Sequence, residues 1–234
     1  AAYSPASQIR ARVWSFDAQA TTNAEWFKAR VRRAVELREA LPAKRHTNAL
    51  RLVHGESDGL PGVIVDRYAD VLVVQFLSAG AERWREAILD GLVEATHCEA
   101  VFERSDAEVR KLEGLEPRVG FARGNRNAAR CPIIEYGLNF RVDVEQGQKT
   151  GFFLDQRENR QRVRELAAGR EVLDGFCYTG GFAIAALAEV EPDPARLRGK
   201  QRARQHRLGI PEAEVDVAAR LPARVRHLAG DPHV

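Results

Sequence analysis

The sequence predicts two units in series: an α+β unit of roughly 100 residues, then the opening of a doubly wound α/β unit. Three observations predict it. Helical and strand-like apolar periods succeed one another between Asn23 and Leu112. The stretch Gly120 to Arg130 is polar, rich in Gly and Arg and without period, so it reads as a linker. Beyond it, Glu171–Phe176 runs as a strand into a glycine-containing turn and a helix over Gly181–Ala188.

The chain opens on Ala1-Ala2-Tyr3 and passes directly into the strand-like alternation Ile9 to Phe16. There is no methionine. Both features lead us to expect a fragment. From Asn23 to about Leu41, Trp26, Phe27, Val31, Ala34, Val35 and Leu37 recur on one helical face; Asn23 suits the N-cap and Pro42 the stop. Strands are expected at Leu50–His54, Val63–Arg67 and Val71–Phe76. Pro61-Gly62 suits the centre of a type II turn, because glycine tolerates positive φ. A second amphipathic helix spans Ala81 to about Ala95, followed by a strand at Ala100–Glu103. Ser105 or Asp106 can cap a short helix reaching Leu112. After the linker, Ile133–Tyr136 and Leu138–Val144 form a hairpin about Gly137, and Asp155 caps a helix that Gly169 ends.

Bulk properties exclude several classes. No apolar run approaches the ~18 residues that a membrane span needs, and no signal-peptide pattern opens the chain, so we expect a cytoplasmic protein. Three widely spaced cysteines, Cys98, Cys131 and Cys177, disfavour a disulfide framework or zinc site. The net charge of +3 arises after residue 189, where nine Lys and Arg face six Asp and Glu; the body before it is balanced. Bulk charge therefore gives no support to nucleic-acid binding, and only local clustering could. The clustered candidates are Arg104, Arg110 and Lys111.

The segment Val172-Leu173-Asp174-Gly175-Phe176-Cys177-Tyr178-Thr179-Gly180-Gly181-Phe182 carries the chemistry. A strand delivers the chain to a turn whose glycines let backbone approach a ligand, and the helix start favours an anionic group. Gly175, Gly180 and Gly181 do not supply the G-x-G-x-x-G of a dinucleotide site, which disfavours a nicotinamide-dependent oxidoreductase. Just upstream lies Gln146-Gly147-Gln148-Lys149-Thr150-Gly151-Phe152-Phe153-Leu154-Asp155-Gln156-Arg157-Glu158-Asn159-Arg160.

Together these two segments resemble the type I family of large-subunit (23S) ribosomal RNA cytosine-5 methyltransferases. Gly55-Glu56-Ser57-Asp58-Gly59-Leu60-Pro61-Gly62, Val65-Asp66-Arg67-Tyr68, Arg104-Ser105-Asp106 and Arg110-Lys111-Leu112-Glu113-Gly114 fit it as well. The resemblance covers about residues 2 to 188. Where the family tends to have a Pro-containing segment before the hairpin, this chain has Gly124-Asn125-Arg126-Asn127.

The resemblance implies an α+β central domain followed by the N-terminal part of an α/β Rossmann-like class I methyltransferase domain. It implies that residues 1–16 are the last strands of an N-terminal PUA domain, 17–128 the central domain and 129–188 the start of the methyltransferase domain. It implies S-adenosyl-L-methionine as cofactor and ribosomal RNA as partner. By resemblance, Lys149, Thr150, Gly151, Asp155, Gln156 and Arg157 line the cofactor side of the catalytic cleft, and Asp174, Phe176, Tyr178, Gly180 and Gly181 form the first cofactor-binding turn.

After Ala188 the resemblance ends. A second strand ending in an acid is expected about 20 residues past the turn, but Pro194 to Lys200 shows no apolar strand and Asp193 sits between prolines. Residues 189–234 hold no aromatic residue, and we expect them to be an aberrant, frameshifted or disordered tail. Methylation at C5 of cytosine needs a thiolate to add to C6. The resemblance puts that Cys and an Asp-Pro-Pro motif on later strands, so none of the three cysteines is expected to serve and the chain is expected to be catalytically incompetent. The alternative is a non-catalytic RNA-binding or assembly module. A strand at Glu171–Phe176 without sheet neighbours also leads us to expect aggregation or homodimerisation.

Overall fold

The structure is a computed structural model that describes residues 1–125, 129–175, 177–188 and 224–227, the last by backbone alone. The described residues form two compact units, one within residues 1–133 and 141–154 and the other within residues 134–140 and from 155 onward.

The first unit is built on a five-stranded sheet in the order β3-β4-β5-β6-β7. Its strands are β3 (Ala49–His54), β4 (Val63–Tyr68), β5 (Val71–Phe76), β6 (Ala100–Ser105) and β7 (Arg118–Arg123). A short hairpin of β1 (Ala2–Tyr3) and β2 (Ala11–Arg12) precedes them. Within the five-stranded sheet the pairings are antiparallel except β5 with β6. The parallel step needs a crossover, and α2 (Ala79–Arg83) and α3 (Arg85–Thr96) supply it. Helix α1 (Ala24–Glu39) packs on α3. Its start is where the sequence puts it: the Asn23 side chain accepts a hydrogen bond from the Trp26 amide at 2.9 Å, filling one of the donors a helix start leaves open.

Strand alternation sorts the sheet residues onto two faces. Leu52, Val63, Val65, Leu72, Val74, Phe76 and Val101 face the helices and share a core with Phe27, Val31, Ile88, Leu89 and Leu92. Each such burial contributes roughly 1.5–3 kcal/mol relative to exposure. Trp14 joins this core, its ring centre 5.0 Å from that of Phe27, and Ala2 packs against it, while Tyr3, Ile9, Val13 and Phe16 are exposed. The other face carries Arg51, Asp66, Tyr68, Phe102 and Arg104, and segment 141–154 lies over it through the contacts described below.

Several expectations are corrected. The stretch read as a linker from Gly120 contains most of β7, a strand hydrogen-bonded to β6. As an edge strand it is half exposed, so it needs no apolar period and tolerates Gly120 and its arginines. The helix expected over Ala81–Ala95 is two helices interrupted at Trp84, whose ring stacks on Phe27 at 4.8 Å, and the first is capped by Ser78. Neither Ser105 nor Asp106 caps α4 (Val109–Leu112): Ser105 ends β6, where its hydroxyl accepts from the Phe76 amide.

Strands β8 (Arg130–Glu135) and β9 (Leu138–Asp143) form the expected hairpin. The second unit holds α5 (Arg157–Ala167), β10 (Glu171–Asp174), α6 (Gly181–Leu187) and β11 (Arg224–His227), with α5 packed on α6. Asp155 does not cap α5. The chain first makes a 3-10 turn, Leu154–Gln156, which moves the helix start past it, and the cap position falls to Gln156. β10 is not without a neighbour: β11 pairs with it in parallel, from Glu171 opposite Arg224 to Asp174 opposite His227. The rest of the expected tail, 189–223 and 228–234, and Phe176 at the end of the expected strand, lie outside the described residues.

Candidate functional site

In the second unit, β10, the turn and α6 form the strand–turn–helix that the sequence pattern requires. Asp174 stands at the end of the strand, and its Oδ2 accepts a hydrogen bond from the Ala183 amide at 3.0 Å. Gly180 occupies the N-cap with φ +74, a conformation that favours glycine but leaves no side chain to cap the helix. Asp174 thus does from across the turn what an N-cap side chain does locally. Gly181 is the first helical residue. Tyr178 is 38% exposed and held at φ +49, so the turn presents an aromatic ring on strained backbone. Among the described residues, a Cβ built on Gly175 or Gly180 meets nothing within 4 Å, so the backbone there is open to a ligand.

The helix after the 3-10 turn is anchored rather than free. Arg160 lies bidentate on Glu135 at 2.7 and 2.8 Å, with Arg157 Nε at 3.4 Å from the same carboxylate. All three are buried. Arg157, expected to face the cofactor, thus has its guanidinium turned toward β8. Asp155 is exposed and accepts from Gln156 at 3.4 Å, and Gln156 accepts from Asn159 at 2.9 Å.

In the first unit, the loop carrying Lys149, Thr150 and Gly151 lies over the second face of the sheet. Thr150 is buried and donates its hydroxyl to Asp66 Oδ2 at 2.6 Å, while Tyr68 Oη lies 2.8 Å from the same oxygen of Thr150. Burial, then the neighbouring Asp66 carboxylate, push the Tyr68 phenol well above its usual range, so it stays protonated. Lys149 is exposed, with φ +54 and its ammonium 4.6 Å from the centre of the Phe153 ring. Gly151 has φ +136, and a Cβ there would stand 2.6 Å from Val142 Cγ1.

The three basic candidates do not make a common patch. Arg110 is buried, donating to the carbonyls of Phe76 and Glu116 and pairing with Glu82. Arg104 donates to the carbonyls of Gly147 at 2.7 Å and Val144 at 3.3 Å. Only Lys111 is exposed, beside Glu108. Arg110 is thus withdrawn from the RNA-facing set, because its charge is spent inside the fold. An open groove in this unit is lined by Phe102, Phe121, Gly124, Asn125, Glu145 and Gln146, outside the predicted set.

Two of the three cysteines, Cys98 and Cys131, are buried. Cys131 is buried, and burial followed by the Asp143 and Asp70 charges pushes its thiol up to about 12. Cys98 is buried, and Cys177 lies in the turn with its sulfur 3.9 Å from the Tyr178 carbonyl. Among the described residues no cluster of His, Cys, Asp or Glu could hold a metal ion.

Sequence reasoning missed Glu135, Arg160, Tyr68 and Asp66 as site-building residues. The last two stood inside the Val65-Asp66-Arg67-Tyr68 motif, but nothing in one sequence says that they meet Thr150.

Comparison with known proteins gives the same direction. Residues 123–208 match the family of S-adenosylmethionine-dependent methyltransferases. The chain is 46% identical over 187 residues to the ribosomal RNA large subunit methyltransferase I of Erwinia tasmaniensis, covering 80% of this chain and 47% of that one. It is 48% identical over 185 residues to the Shewanella frigidimarina protein of the same name, covering 79% and 47%. The chain therefore spans about half the length of the curated relatives it matches. A solved structure assigned as a SAM-dependent methyltransferase from Streptococcus mutans superposes with a TM-score of 0.61 at 25% identity, covering 72% of this chain and 43% of that one. Another, assigned as a methyltransferase and complexed with SAH, aligns with the same TM-score and identity. The chain has an α/β fold of the class I methyltransferase type and is related in sequence to the ribosomal RNA large subunit methyltransferases I.

Proposed function

We propose that this chain binds S-adenosylmethionine and belongs to a methyltransferase that forms 5-methylcytosine in large-subunit ribosomal RNA. The observation that carries the reading is the bond from the Ala183 amide to Asp174, which locks a strand–turn–helix with open glycine backbone inside the matched segment. Asp174, Phe176, Tyr178, Gly180 and Gly181 are proposed to hold the cofactor at this turn, with Lys149, Gly151, Asp155 and Gln156 as further contacts. The bound cofactor would supply an electrophilic methyl group on a sulfonium. The residues of this chain bind and orient it; we assign no nucleophilic role to Cys98, Cys131 or Cys177. The same reading makes ribosomal RNA the partner and the cytoplasm the compartment, with homodimerisation a further part of it.

Calorimetric titration of the chain with S-adenosylmethionine, and separately with NAD, tests the cofactor assignment. Saturable binding of the former and none of the latter is expected; tighter binding of NAD would overturn it. The product assignment is tested with a full-length relative on unmodified large-subunit ribosomal RNA, read by nucleoside mass spectrometry. A methylated base other than 5-methylcytosine would refute that part alone.

A further inference from the structure

The loop from Gly147 to Phe152 belongs to no helix or strand; its local backbone hydrogen bonds include those of the Gly147 amide to the Asp143 carbonyl at 2.9 Å, the Gly151 amide to the Gln148 carbonyl at 2.8 Å and the Leu154 amide to the Phe152 carbonyl at 3.1 Å. Fixing such a segment costs on the order of 1–2 kcal/mol per residue in conformational entropy. Lys149 carries a further cost at φ +54, where its β-carbon makes the conformation a strained one, while Gly151 at φ +136 takes a conformation that glycine tolerates. Something outside the loop must hold it.

The sheet of the first unit does so at both ends. At one end Arg104, on β6, donates to the Gly147 and Val144 carbonyls. At the other end a directional chain of hydrogen bonds runs out of the loop into β4. The Phe152 amide donates to Tyr68 Oη at 3.1 Å, and the phenol can donate to Thr150 Oγ1 at 2.8 Å, with the Phe152 carbonyl as a second acceptor at 3.2 Å. The Thr150 hydroxyl donates to Asp66, and Arg51 holds that carboxylate from the next strand at 2.8 and 2.9 Å. The two hydroxyls at the centre of this chain, Tyr68 and Thr150, each accept one hydrogen bond and can donate one, the arrangement in which buried hydrogen bonds reinforce one another. Asp66, Tyr68 and Thr150 are all buried. Between the two anchors stand Gln148 and Lys149, the exposed residues of the loop.

We infer that Asp66, Tyr68 and Arg104 are positioning residues: the sheet of the first unit holds the Gly147–Phe152 loop in the one conformation that carries Lys149 exposed and left-handed. This rests on the reading above that the loop serves the cofactor, and it gives the helix-and-sheet unit a part in cofactor affinity. It also changes the role of Thr150, whose hydroxyl is an anchor of the loop and not a contact to the cofactor. Arg104 passes in the same way from a surface for RNA to a clamp on backbone carbonyls.

The test uses the whole chain and three variants: Thr150→Val, which keeps the shape and removes the hydroxyl, Thr150→Ser, which restores it, and Tyr68→Phe. Two quantities are read, the exchange rate of the Phe152 amide without cofactor and the dissociation constant for S-adenosylmethionine. Loss of one hydrogen bond of this kind, with its partner left unsatisfied, corresponds to about a five- to tenfold change in an equilibrium. Thr150→Val and Tyr68→Phe are expected to speed exchange at Phe152 by about tenfold or more and to weaken cofactor binding about fivefold, with Thr150→Ser close to the parent in both. Rescue by serine separates positioning from packing, since serine loses the methyl group and keeps the bond. Unchanged Phe152 exchange in Thr150→Val and Tyr68→Phe would overturn the clamp. Faster exchange with unchanged affinity would overturn its link to the cofactor. A parent chain that binds no S-adenosylmethionine would refute the cofactor reading, and the exchange rates would then decide the clamp by themselves.

Discussion

The Asp174 carboxylate and the Ala183 amide are joined at 3.0 Å across the turn between strand and helix. The bond gives a helix whose N-cap is glycine the acceptor it lacks. It also fixes the path of the turn, and with it the open backbone at Gly175 and Gly180. Asp174→Ala is therefore expected to cost roughly 1 kcal/mol of stability and to weaken S-adenosylmethionine binding by about tenfold. Asp174→Asn keeps an acceptor oxygen and should retain most of the stability. Thermal unfolding and calorimetry on the two variants check this, and equal affinity in Asp174→Ala and the parent would count against the turn as the cofactor site.

Glu135 and Arg160 make the buried pair that anchors α5 in the second unit. Removing one member of such a pair leaves a charge in low dielectric, whereas replacing both with apolar groups removes the desolvation cost as well. Glu135→Gln is expected to destabilise the chain by about 3–5 kcal/mol. Because the buried Arg157 shares this carboxylate, the triple change Glu135→Leu with Arg157→Met and Arg160→Met should recover a large part of that loss. Urea unfolding at neutral pH is the measurement; a Glu135→Gln midpoint equal to that of the parent would show that the pair is not the anchor.

Legibility of the sequence tracked how local each determinant was. The Asn23 cap, the strands β3 to β5 and the turn at Gly62, observed with φ +79, are written in neighbouring residues and were readable. β7 was not, because an edge strand is defined by the strand it joins and not by an apolar period of its own. Asp155 looked like a cap because it precedes a helical period, but one 3-10 turn moved the cap to Gln156. At the site, the turn was legible from glycines and strand in one continuous segment. The partnership of Thr150 with Asp66 and Tyr68 was not, since these residues are brought together by strand register and not by sequence spacing. Arg104, Arg110 and Lys111 looked alike as a basic cluster, and only burial told them apart.

That difference is measurable at Arg110 and Lys111. The Arg110 guanidinium satisfies the Phe76 and Glu116 carbonyls and pairs with Glu82, while Lys111 stands in solvent beside Glu108. Arg110→Ala removes the guanidinium donor from those carbonyls and leaves Glu82 with Arg118 alone at 3.0 Å, and it is expected to cost about 2–4 kcal/mol. Lys111→Ala should change stability by less than about 0.5 kcal/mol, as exposed pairs do. Denaturant unfolding of the two variants decides it. Similar small losses in both would mean that Arg110 is a surface residue in solution.

Cys131 gives a prediction in pH. Its thiol is displaced upward to about 12, first by burial and then by the Asp143 and Asp70 charges. A raised thiol value means that the protonated, unreactive form persists through the neutral range, with a thiolate fraction on the order of 10⁻⁴ at pH 8. Iodoacetamide at pH 8 is therefore expected to modify Cys177, which is half-buried in the turn, well before Cys131 or the buried Cys98. Between pH 7 and 9 the slow reaction at Cys131 should rise about tenfold per unit with no plateau, because the whole range lies below its titration. Peptide mass spectrometry after timed quenching reads each site separately. Labelling of Cys131 as fast as Cys177 in the folded chain would contradict both its burial and its displaced thiol, and would reopen it as a candidate nucleophile for addition to a pyrimidine ring.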